Sequence, residues 1–268
     1  MSTPTAARSP LEQRALQEAA GPDWSVRLLA EAESTNAVAS SAPERNLVVI
    51  AEHQTAGRGR LDRTWETPAG AALTFSAVFD PVVDAAWWPV IPLAAGVAVA
   101  RAIGAPARLK WPNDVLLGEQ KVCGILVERL ATRPAYAVIG IGLNVDQRRD
   151  ELPVETATSL ALAGVPRDRT ELFGEVLHQL RFALGSLARD PHGAVGQYRG
   201  LSATLDRRVR VDLPGGEVLE GTAVDIDDHG ALVVAHDEPR EPGWAAIGRT
   251  TTVGAGDVVH VRPGAARA

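Results

Sequence analysis

Residues 109–124, LKWPNDVLLGEQKVCG, hold both lysines of a chain that has 27 basic residues. Arginine fills every other basic position, and none lies between Lys110 and Lys121. The flanking apolar runs predict two strands joined by a turn at Gly118. A lysine ammonium is a compact point charge, whereas guanidinium is a broad planar fork. A lysine kept among so many arginines therefore indicates a position where positive charge alone does not suffice.

Composition and charge narrow the class of protein. The chain has 268 residues, a net charge of −6 and a pI near 5.6. This length predicts one large domain with a small one, and the acidic balance argues against a broad nucleic-acid-binding face. A single cysteine, Cys123, excludes an internal disulfide or a cysteine-rich metal site. The start, MSTPTAARSP, has no apolar signal-peptide core behind it, so we expect a cytoplasmic protein.

The most apolar region is AAWWPVIPLAAGVAVARAI, residues 85–103. Pro89, Pro92 and Arg101 interrupt it, and it falls short of the roughly 20 residues that span a bilayer. We therefore predict a buried core helix that begins near Pro92, and no membrane association.

Several β-rich runs are mixed irregularly with helices. Between residues 168 and 189 the apolar residues keep helical spacing behind a capping-box-like pair, Asp168 and Glu171. One strand candidate, GAALTFSAVF, has a polar break at Ser76. The other predicted strands are WSVRLLAEAES, NLVVIAEHQ, ARLKW, KVCGILVERL and AYAVIGIGLNV. The pattern therefore predicts a sheet with helices, in mixed rather than strictly alternating order.

The composition changes after about residue 203. Short strands are punctuated by PGG at 214–216 and DHG at 228–230, and DVVHVR closes the chain with another. This pattern predicts a small β-barrel. We therefore place a large domain at 1–202 and a barrel domain at 203–268.

The stretch EHQTAGRGRLDRTW, residues 52–65, places Arg58, Arg60 and Arg63 on a glycine-containing loop. Glycine permits close backbone approach, and guanidinium groups match carboxylate and phosphate oxygens. The loop is typical of an anion clamp, with a solvated basic loop as the alternative. No Gly-Lys-Ser/Thr follows, so it is not a Walker-type phosphate loop.

Two further polar stretches are ambiguous when taken alone. ESTN at 33–36 offers Ser34, Thr35 and Asn36 just before a predicted helix, so it can form an N-cap, a polar ligand site, or both. GIGLN at 140–144 follows an apolar strand but lacks the third glycine of the dinucleotide-binding fingerprint. Its glycines can instead let another backbone pack nearby.

Cys123 stands beside Lys121 and could act as a nucleophile. In the apolar run KVCGIL, however, a small buried thiol is the better interpretation. None of the six histidines has metal-ligand spacing to another histidine or cysteine, so no metal ligands can be named.

In this order along the chain, ESTN, EHQTAGRGRLDRTW, KWPND, KVCGILVE and GIGLN resemble the biotin protein ligases, also called biotin–[acetyl-CoA-carboxylase] ligases. The likeness extends from about residue 24 to the C-terminus. The glycine-arginine loop is specific in combination with KWPND and a lysine seven residues after its aspartate. The resemblance implies an α+β fold: a catalytic domain on a mixed, mostly antiparallel sheet with helices, followed by a C-terminal SH3-like barrel.

The resemblance also implies a two-step reaction. The biotin carboxylate attacks the α-phosphate of ATP to form biotinyl-5′-AMP and pyrophosphate, and a lysine of a biotin carboxyl carrier protein then takes the biotinyl group. Because a carboxylate and a polyphosphate repel each other, the site needs positioned cations, here arginines, one lysine and Mg²⁺ with the ATP.

Site residues are carried over from the family by motif position. The residues expected to bind biotin are Ser34, Thr35, Asn36, Gln54, Arg58, Gly59, Arg60 and Lys121. The residues expected to bind ATP are Arg63, Trp65, Asn113, Lys121 and Asn144. The expected catalytic residues are Lys121, which bridges the carboxylate and the α-phosphate, Arg60, which closes over the adenylate, and Asp114, which faces the acceptor lysine.

The expected partners are biotin, ATP and an apo biotin carboxyl carrier protein of an acyl-CoA carboxylase. Repressor-type biotin ligases carry an N-terminal DNA-binding domain, but only 33 residues precede Ser34 here, below the roughly 50 residues of a small domain. We therefore expect no DNA partner. We also expect no membrane partner and a monomer or weak dimer.

Two other functions are compatible with parts of the pattern. A lipoate ligase or octanoyltransferase resembles this fold and also modifies a carrier lysine, but the complete GRGR…W loop favours biotin. A non-catalytic biotin- or nucleotide-responsive binding protein is the alternative from another class. The retained Lys121 and Arg60 argue against it.

Overall fold

Two separate β-sheets organise the chain in a computed structural model, which describes residues 8–60, 64–104, 106–132, 134–213, 215–236, 250–254 and 256–260. The first part of the chain contains α1 (Gln13–Ala20), β1 (Ser25–Ala32), α2 (Thr35–Ser41), β2 (Leu47–Arg58), β3 (Thr64–Thr67), β4 (Ala72–Phe79), α3 (Ile91–Ile103), β5 (Ala107–Lys110), β6 (Asp114–Leu117), β7 (Gln120–Leu130), β8 (Tyr136–Asn144), α4 (Arg169–Arg189) and α5 (Pro191–Leu201). The second sheet contains β9 (Arg208–Asp212), β10 (Val218–Ile226), β11 (Leu232–His236), β12 (Thr250–Val253) and β13 (Asp257–His260).

The first sheet has eight strands in the order β1-β2-β4-β8-β7-β6-β5, with β3 paired to β2. Only the β1–β2 pair is parallel among the described strand pairs. This confirms the prediction of a mixed, mostly antiparallel sheet with helices. The quoted stretch 109–124 forms the β5–β6–β7 end of it.

The residues of each strand alternate between the two faces of the first sheet. On one face, Leu73, Phe75 and Ile141 belong to the main core, which α3 and α4 cover. The ring of Phe75 meets Phe173 of α4 edge-on, with centroids 5.2 Å apart and planes at 86°. The opposite face packs against α2 through a small second cluster that includes Val78. Side chains that are not needed for the main core can therefore point to that second face.

The apolar region 85–103 forms a 3₁₀ segment, Ala85–Val90, followed by α3. By length and composition alone these 19 residues could cross a membrane, but 67% of the stretch is buried inside the fold. The helix packs against α4 and the sheet. The prediction of a core helix near Pro92 is confirmed.

Helix α1 covers the free edge of β1, and the sequence did not predict this helix. Gln13 donates to the carbonyl of Val26 at 2.8 Å and accepts from the amide of Leu28 at 2.8 Å. Gln17 donates to the carbonyl of Trp24 and accepts from the amide of Val26. Two glutamine side chains thus replace a neighbouring strand and protect a sheet edge that would otherwise be open to pairing.

The second sheet has five antiparallel strands in the order β12-β11-β10-β9-β13. This confirms the predicted change to short strands after residue 203. In the described residues, no pairing joins β12 to β13, so the strand order is open where the expected SH3-like barrel would be closed.

Residues from 203 onward, which form the second unit of the chain, hold the KWPND turn in place. The amide of Trp111 donates to Thr204 Oγ1 at 3.0 Å, and the Trp111 indole Nε1 donates to the carbonyl of Gly230 at 2.9 Å. The amide of Ala203 donates to the carbonyl of Leu109 at 2.6 Å. Trp111 is almost fully buried. The hairpin β5–β6 is therefore fastened to both sheets.

We predict that Trp111→Phe lowers the free energy of unfolding by about 1–3 kcal/mol, because it leaves the buried carbonyl of Gly230 without its donor. Urea unfolding measures the change. The matched control is Trp88→Phe, at a half-buried tryptophan whose ring stacks with Arg129 at 4.8 Å. Equal losses in the two variants would contradict a specific role of the indole hydrogen bond.

Candidate functional site

A cavity of about 1670 Å³ opens on the second face of the first sheet, and residues of the second sheet complete its wall. Every site residue predicted from the sequence and described by the structure lines it. These residues are Ser34, Thr35, Asn36, Gln54, Arg58, Gly59, Arg60, Trp65, Asn113, Asp114, Lys121 and Asn144. Arg63 lies outside the described residues. Four stretches far apart in the sequence, 34–36, 54–65, 113–121 and 144, thus meet in one place.

The floor of the cavity is a part of the sheet that has almost no side chains. Asp114, Gly124, Gly142 and Thr74 are neighbours in one row across β6, β7, β8 and β4. A Cβ on Gly142 would lie 2.5 Å from Cε2 of Trp65, closer than real Cβ atoms approach. The indole of Trp65 therefore lies directly on the backbone of β8.

The missing side chain of Gly140 likewise leaves room for the side-chain amide of Asn36. A Cβ at this position would lie 2.3 Å from Oδ1 of Asn36. The sequence interpretation that these glycines admit another backbone is therefore wrong in detail. They admit the side chains of Asn36 and Trp65, one at each end of the floor.

The first turn of α2 forms one end of the cavity. Ser34 is the N-cap and accepts from the amide of Ala37 at 3.4 Å, which confirms the N-cap interpretation. The amide of Thr35 donates to Gln54 Oε1 at 2.9 Å, which ties the helix start to β2. Ser34, Thr35 and Gln54 are all buried, and they also line the cavity. The cap and the ligand-site interpretations are therefore compatible.

Lys121 lies near the middle of the cavity with Asp114. Its Nζ is 2.6 Å from Asp114 Oδ1 and 5.4 Å from the centre of the Trp65 ring. The ladder between β6 and β7 shifts register between Val115 and Leu116, so Lys121 directly precedes an irregular point in the strand pairing. Such bulges change the direction of side chains beside functional sites.

The backbone of Lys121 is also fixed from outside the sheet. Its amide donates to the carbonyl of Thr156 at 2.8 Å, and its carbonyl accepts from the amide of Thr158 at 2.8 Å. The segment after β8 thus fixes the backbone of Lys121. The ammonium group is therefore positioned in the cavity although its side chain is not buried.

Two asparagines anchor the other end of the cavity. Asn113 donates through Nδ2 to the carbonyl of Ile125 at 2.8 Å. Asn144 donates through Nδ2 to the carbonyl of Thr158 at 2.9 Å and accepts from Gln147 Nε2 at 2.8 Å. Gln147 was missed from the sequence. Its Oε1 is buried and has no partner in the described chain, so an acceptor is left at the wall of the cavity.

Arg58 ends β2, and Arg60 lies two residues after it. Burial lowers the pKa of the Arg60 guanidinium, while the nearby carboxylates of Asp257 and Asp114 act in the opposite direction. Arg60 is thus partly buried, whereas Arg58 is exposed, so only Arg60 departs from the alternative of a solvated basic loop. The arrangement is suited to hold an anion that enters the cavity.

The second sheet contributes cavity residues that the sequence did not reveal. Arg207 makes two hydrogen bonds of 2.7 Å to Glu119, and this pairing raises the pKa of Arg207. Burial lowers the pKa of His260 to about 4, and the charges of Lys110 and Arg207 act in the same direction. His260 Nε2 lies 3.2 Å from Thr204 Oγ1. This wall is therefore charged but internally paired.

Cys123 is fully buried on the core side of β7. Burial raises the pKa of its thiol, and Asp114 acts in the same direction although Lys121 opposes it. The thiol is therefore protonated and inert, as the sequence predicts. Across the described part of the chain, no three His, Cys, Asp or Glu side chains are grouped so that they could hold a metal ion.

Residues 29–146 match the biotin/lipoate A/B protein ligase family, and residues 204–261 match the biotin protein ligase C-terminal domain. The chain is 38% identical to a biotin–[acetyl-CoA-carboxylase] ligase of Mycobacterium tuberculosis, over 95% of this chain and 97% of that protein. It is 34% identical to the bifunctional ligase/repressor BirA of Bacillus subtilis, over 74% of this chain and 64% of that protein.

Solved structures show the same relationship. A biotin protein ligase from Aquifex aeolicus in complex with biotin and ATP aligns with a TM-score of 0.73 and 26% identity, over 88% of this chain and 99% of that one. A biotin protein ligase from Leishmania major in complex with biotinyl-5-AMP aligns with a TM-score of 0.57 and 26% identity, over 88% of this chain and all of that one. The chain belongs to the biotin protein ligase family.

Proposed function

We propose that the cavity binds biotin and ATP side by side, and that the chain joins them and then modifies a lysine of a biotin carboxyl carrier protein. One observation carries the proposal: motif residues from four separate stretches of the chain line one cavity, and Lys121 lies there 2.6 Å from Asp114. The volume supports two substrates, because pockets for one small ligand usually measure roughly 300–1,000 Å³.

The ends of the cavity differ in chemistry, and we assign the substrates accordingly. The α2 end offers Ser34, Thr35 and Gln54, compact hydrogen-bonding groups suited to the polar ring of biotin. The other end offers Trp65, with a flat face for a base, and the amides of Asn113 and Asn144. Lys121 lies between the two ends, where the biotin carboxylate and the α-phosphate would meet.

The first step forms a bond between a biotin carboxylate oxygen and the α-phosphorus and breaks the bond from that phosphorus to the bridging oxygen of pyrophosphate. Two anions approach each other, so the ammonium of Lys121 and the guanidinium of Arg60 lower the barrier by lying where the charge concentrates. Lys121 is held beside Asp114 without substrate, whereas Arg60 is expected to close over the adenylate.

The second step joins the carrier lysine nitrogen to the biotinyl carbonyl carbon and releases AMP. A lysine amine with an ordinary pKa near ~10.4 must lose a proton first. Asp114 is the carboxylate nearest to Lys121 and can accept or orient that proton. We propose that Asp114 turns from Lys121 to the incoming lysine between the two steps.

Mg²⁺ is proposed to enter with ATP. Oxygen ligands suit this ion, and the carboxylates that line the cavity include Asp114, Glu119 and Asp257. Because no three described carboxylates are grouped to hold a metal by themselves, we propose that the phosphate oxygens of ATP would supply most of its ligands. Bound there, the ion would offset part of the phosphate charge.

We also propose the division into a catalytic domain at 1–202 and a second domain at 203–268. The end of α5 at Leu201 and the start of β9 at Arg208 support it. Cytoplasmic location, the absence of a DNA partner and a monomer or weak dimer stay predictions. Light scattering and a mobility-shift assay test the last two.

The decisive experiment combines the protein with biotin, MgATP and an apo carrier domain, followed by intact mass. We expect one biotinyl group on the carrier, dependent on ATP. Lipoate replaces biotin in a parallel sample. Labelling with lipoate alone would reassign the substrate, and no labelling by either compound together with no biotin-dependent pyrophosphate exchange would indicate a binding protein.

We predict that Lys121→Arg folds normally but loses on the order of 10²-fold in biotin-dependent pyrophosphate exchange, comparable to losing one preorganised oxyanion donor. The broader guanidinium cannot take the place of a compact ammonium 2.6 Å from Asp114. Lys110→Arg is the matched variant and should be milder, because we assign Lys110, which also lines the cavity, only to support of the KWPND turn. Near-native exchange by Lys121→Arg would show that any cation suffices.

We predict that Asp114→Ala slows transfer to the carrier by about 10²-fold, the lower end of general acid–base contributions, and slows adenylate formation less. Single-turnover assays measure the half-reactions separately. Asp84→Ala, at an exposed carboxylate outside the cavity, is the control. An equal fall of both half-reactions would limit Asp114 to holding Lys121.

A further inference from the structure

Ser76 lies beneath the start of α2 and is completely buried in β4. It is paired across the sheet with Gly140 of β8 and Val49 of β2. A hydroxyl at this depth needs partners, because an unpaired buried polar group is costly. Ser76 does not line the cavity, so it touches the substrates only through other side chains.

The partners of Ser76 are two residues of the biotin end. Ser76 Oγ lies 2.7 Å from Thr35 Oγ1 and 2.5 Å from Asn36 Oδ1. Thr35 Oγ1 is in turn 3.2 Å from Gln54 Oε1. Ser76, Thr35, Asn36 and Gln54 thus form one buried cluster of polar contacts.

The number of hydroxyl protons fixes which group donates in each hydrogen bond of this cluster. Asn36 Oδ1 can only accept, so the proton of Ser76 must point to it. Ser76 then has no proton left for Thr35, and the Thr35 hydroxyl must donate to Ser76 Oγ. Gln54 Oε1 accepts a hydrogen bond from the backbone amide of Thr35 at 2.9 Å instead.

Glu128 of β7 is the partner of Asn36 on the side of the cluster away from Ser76. Asn36 Nδ2 donates to Glu128 Oε2 at 2.7 Å. The amide of Asn36 is therefore held from both sides, its oxygen by Ser76 and its nitrogen by a carboxylate, and it lies against the bare backbone of Gly140. An asparagine amide can turn over by 180°, and here only one orientation satisfies both partners.

We propose that Ser76 and Glu128 are positioning residues that fix the Thr35 hydroxyl and the Asn36 amide in the orientation that binds biotin. The inference rests on the proposed function, because it assigns these two groups to the biotin end. It predicts a selective effect: loss of either positioning residue weakens biotin binding and leaves ATP binding intact.

The test measures the KM for biotin and the KM for ATP in biotin-dependent pyrophosphate exchange. For Ser76→Ala we expect the KM for biotin to rise about 10-fold, the effect of roughly one misplaced hydrogen bond, with a KM for ATP near that of the wild type. Val78→Ala is the matched control, since Val78 is fully buried on the same strand and the same face. It should lower the unfolding temperature and leave both KM values unchanged.

Glu128 supplies a second, independent pair of variants. Glu128→Leu removes the acceptor and should raise the KM for biotin as Ser76→Ala does. Glu128→Gln keeps an acceptor for Asn36 Nδ2 and should restore most of the affinity. A purely structural role would instead change both KM values, or stability alone, in all the variants.

The outcomes distinguish a failure of the proposed function from a failure of the positioning role. Wild-type protein without biotin-dependent exchange would overturn the proposed function and this inference with it. Wild-type exchange combined with an unchanged KM for biotin in both Ser76→Ala and Glu128→Leu would overturn the positioning role alone. If Ser76→Ala fails to fold, the Glu128 pair decides.

Discussion

The site depends on a part of one sheet face that has almost no side chains. Glycine weakens a strand because it loses more backbone entropy and adds no packing, so three glycines in adjacent positions of β7 and β8 need compensation. The opposite face provides it, since Ile125, Ile141 and Leu143 are buried in the main core. One face of the same strands supplies stability while the other gives space to Trp65 and Asn36. Neither requirement could be met if the strands carried large residues on both faces.

The charges of the cavity follow from the same architecture. A reaction between two anions needs cations in fixed places, yet fixed cations without substrate repel each other and must be balanced. Asp114 balances Lys121, and Glu119 balances Arg207 of the second unit. The KWPND turn that carries Asp114 is itself fastened by Trp111 to that unit. The second sheet thus acts on the site through position and through charge.

Much of this could be predicted from the sequence. The strands, the core helix and the cap at Ser34 follow from apolar periodicity and local hydrogen bonding, and the gathering of the motif residues follows from the family resemblance. The edge helix α1 could not be predicted, because the bonds from Gln13 and Gln17 to β1 leave no periodic signal. The sequence also did not predict the roles of Gln147, Glu128 and the cavity wall from the second sheet. Their partners are set by three-dimensional proximity, which leaves no pattern in the sequence.

Ser76 is different, because its strand did contain a signal. In β4 the apolar residues Leu73, Phe75 and Ala77 alternate with Thr74 and Ser76, and in β8 the glycines 140 and 142 alternate with Ile139 and Ile141. A polar or glycine position every second residue in two strands that pair with each other means that one face is not packed against a core. Reading Ser76 as a break in the strand hid this. Taken instead as part of a period of two, it marks the face that holds the site before any motif is considered.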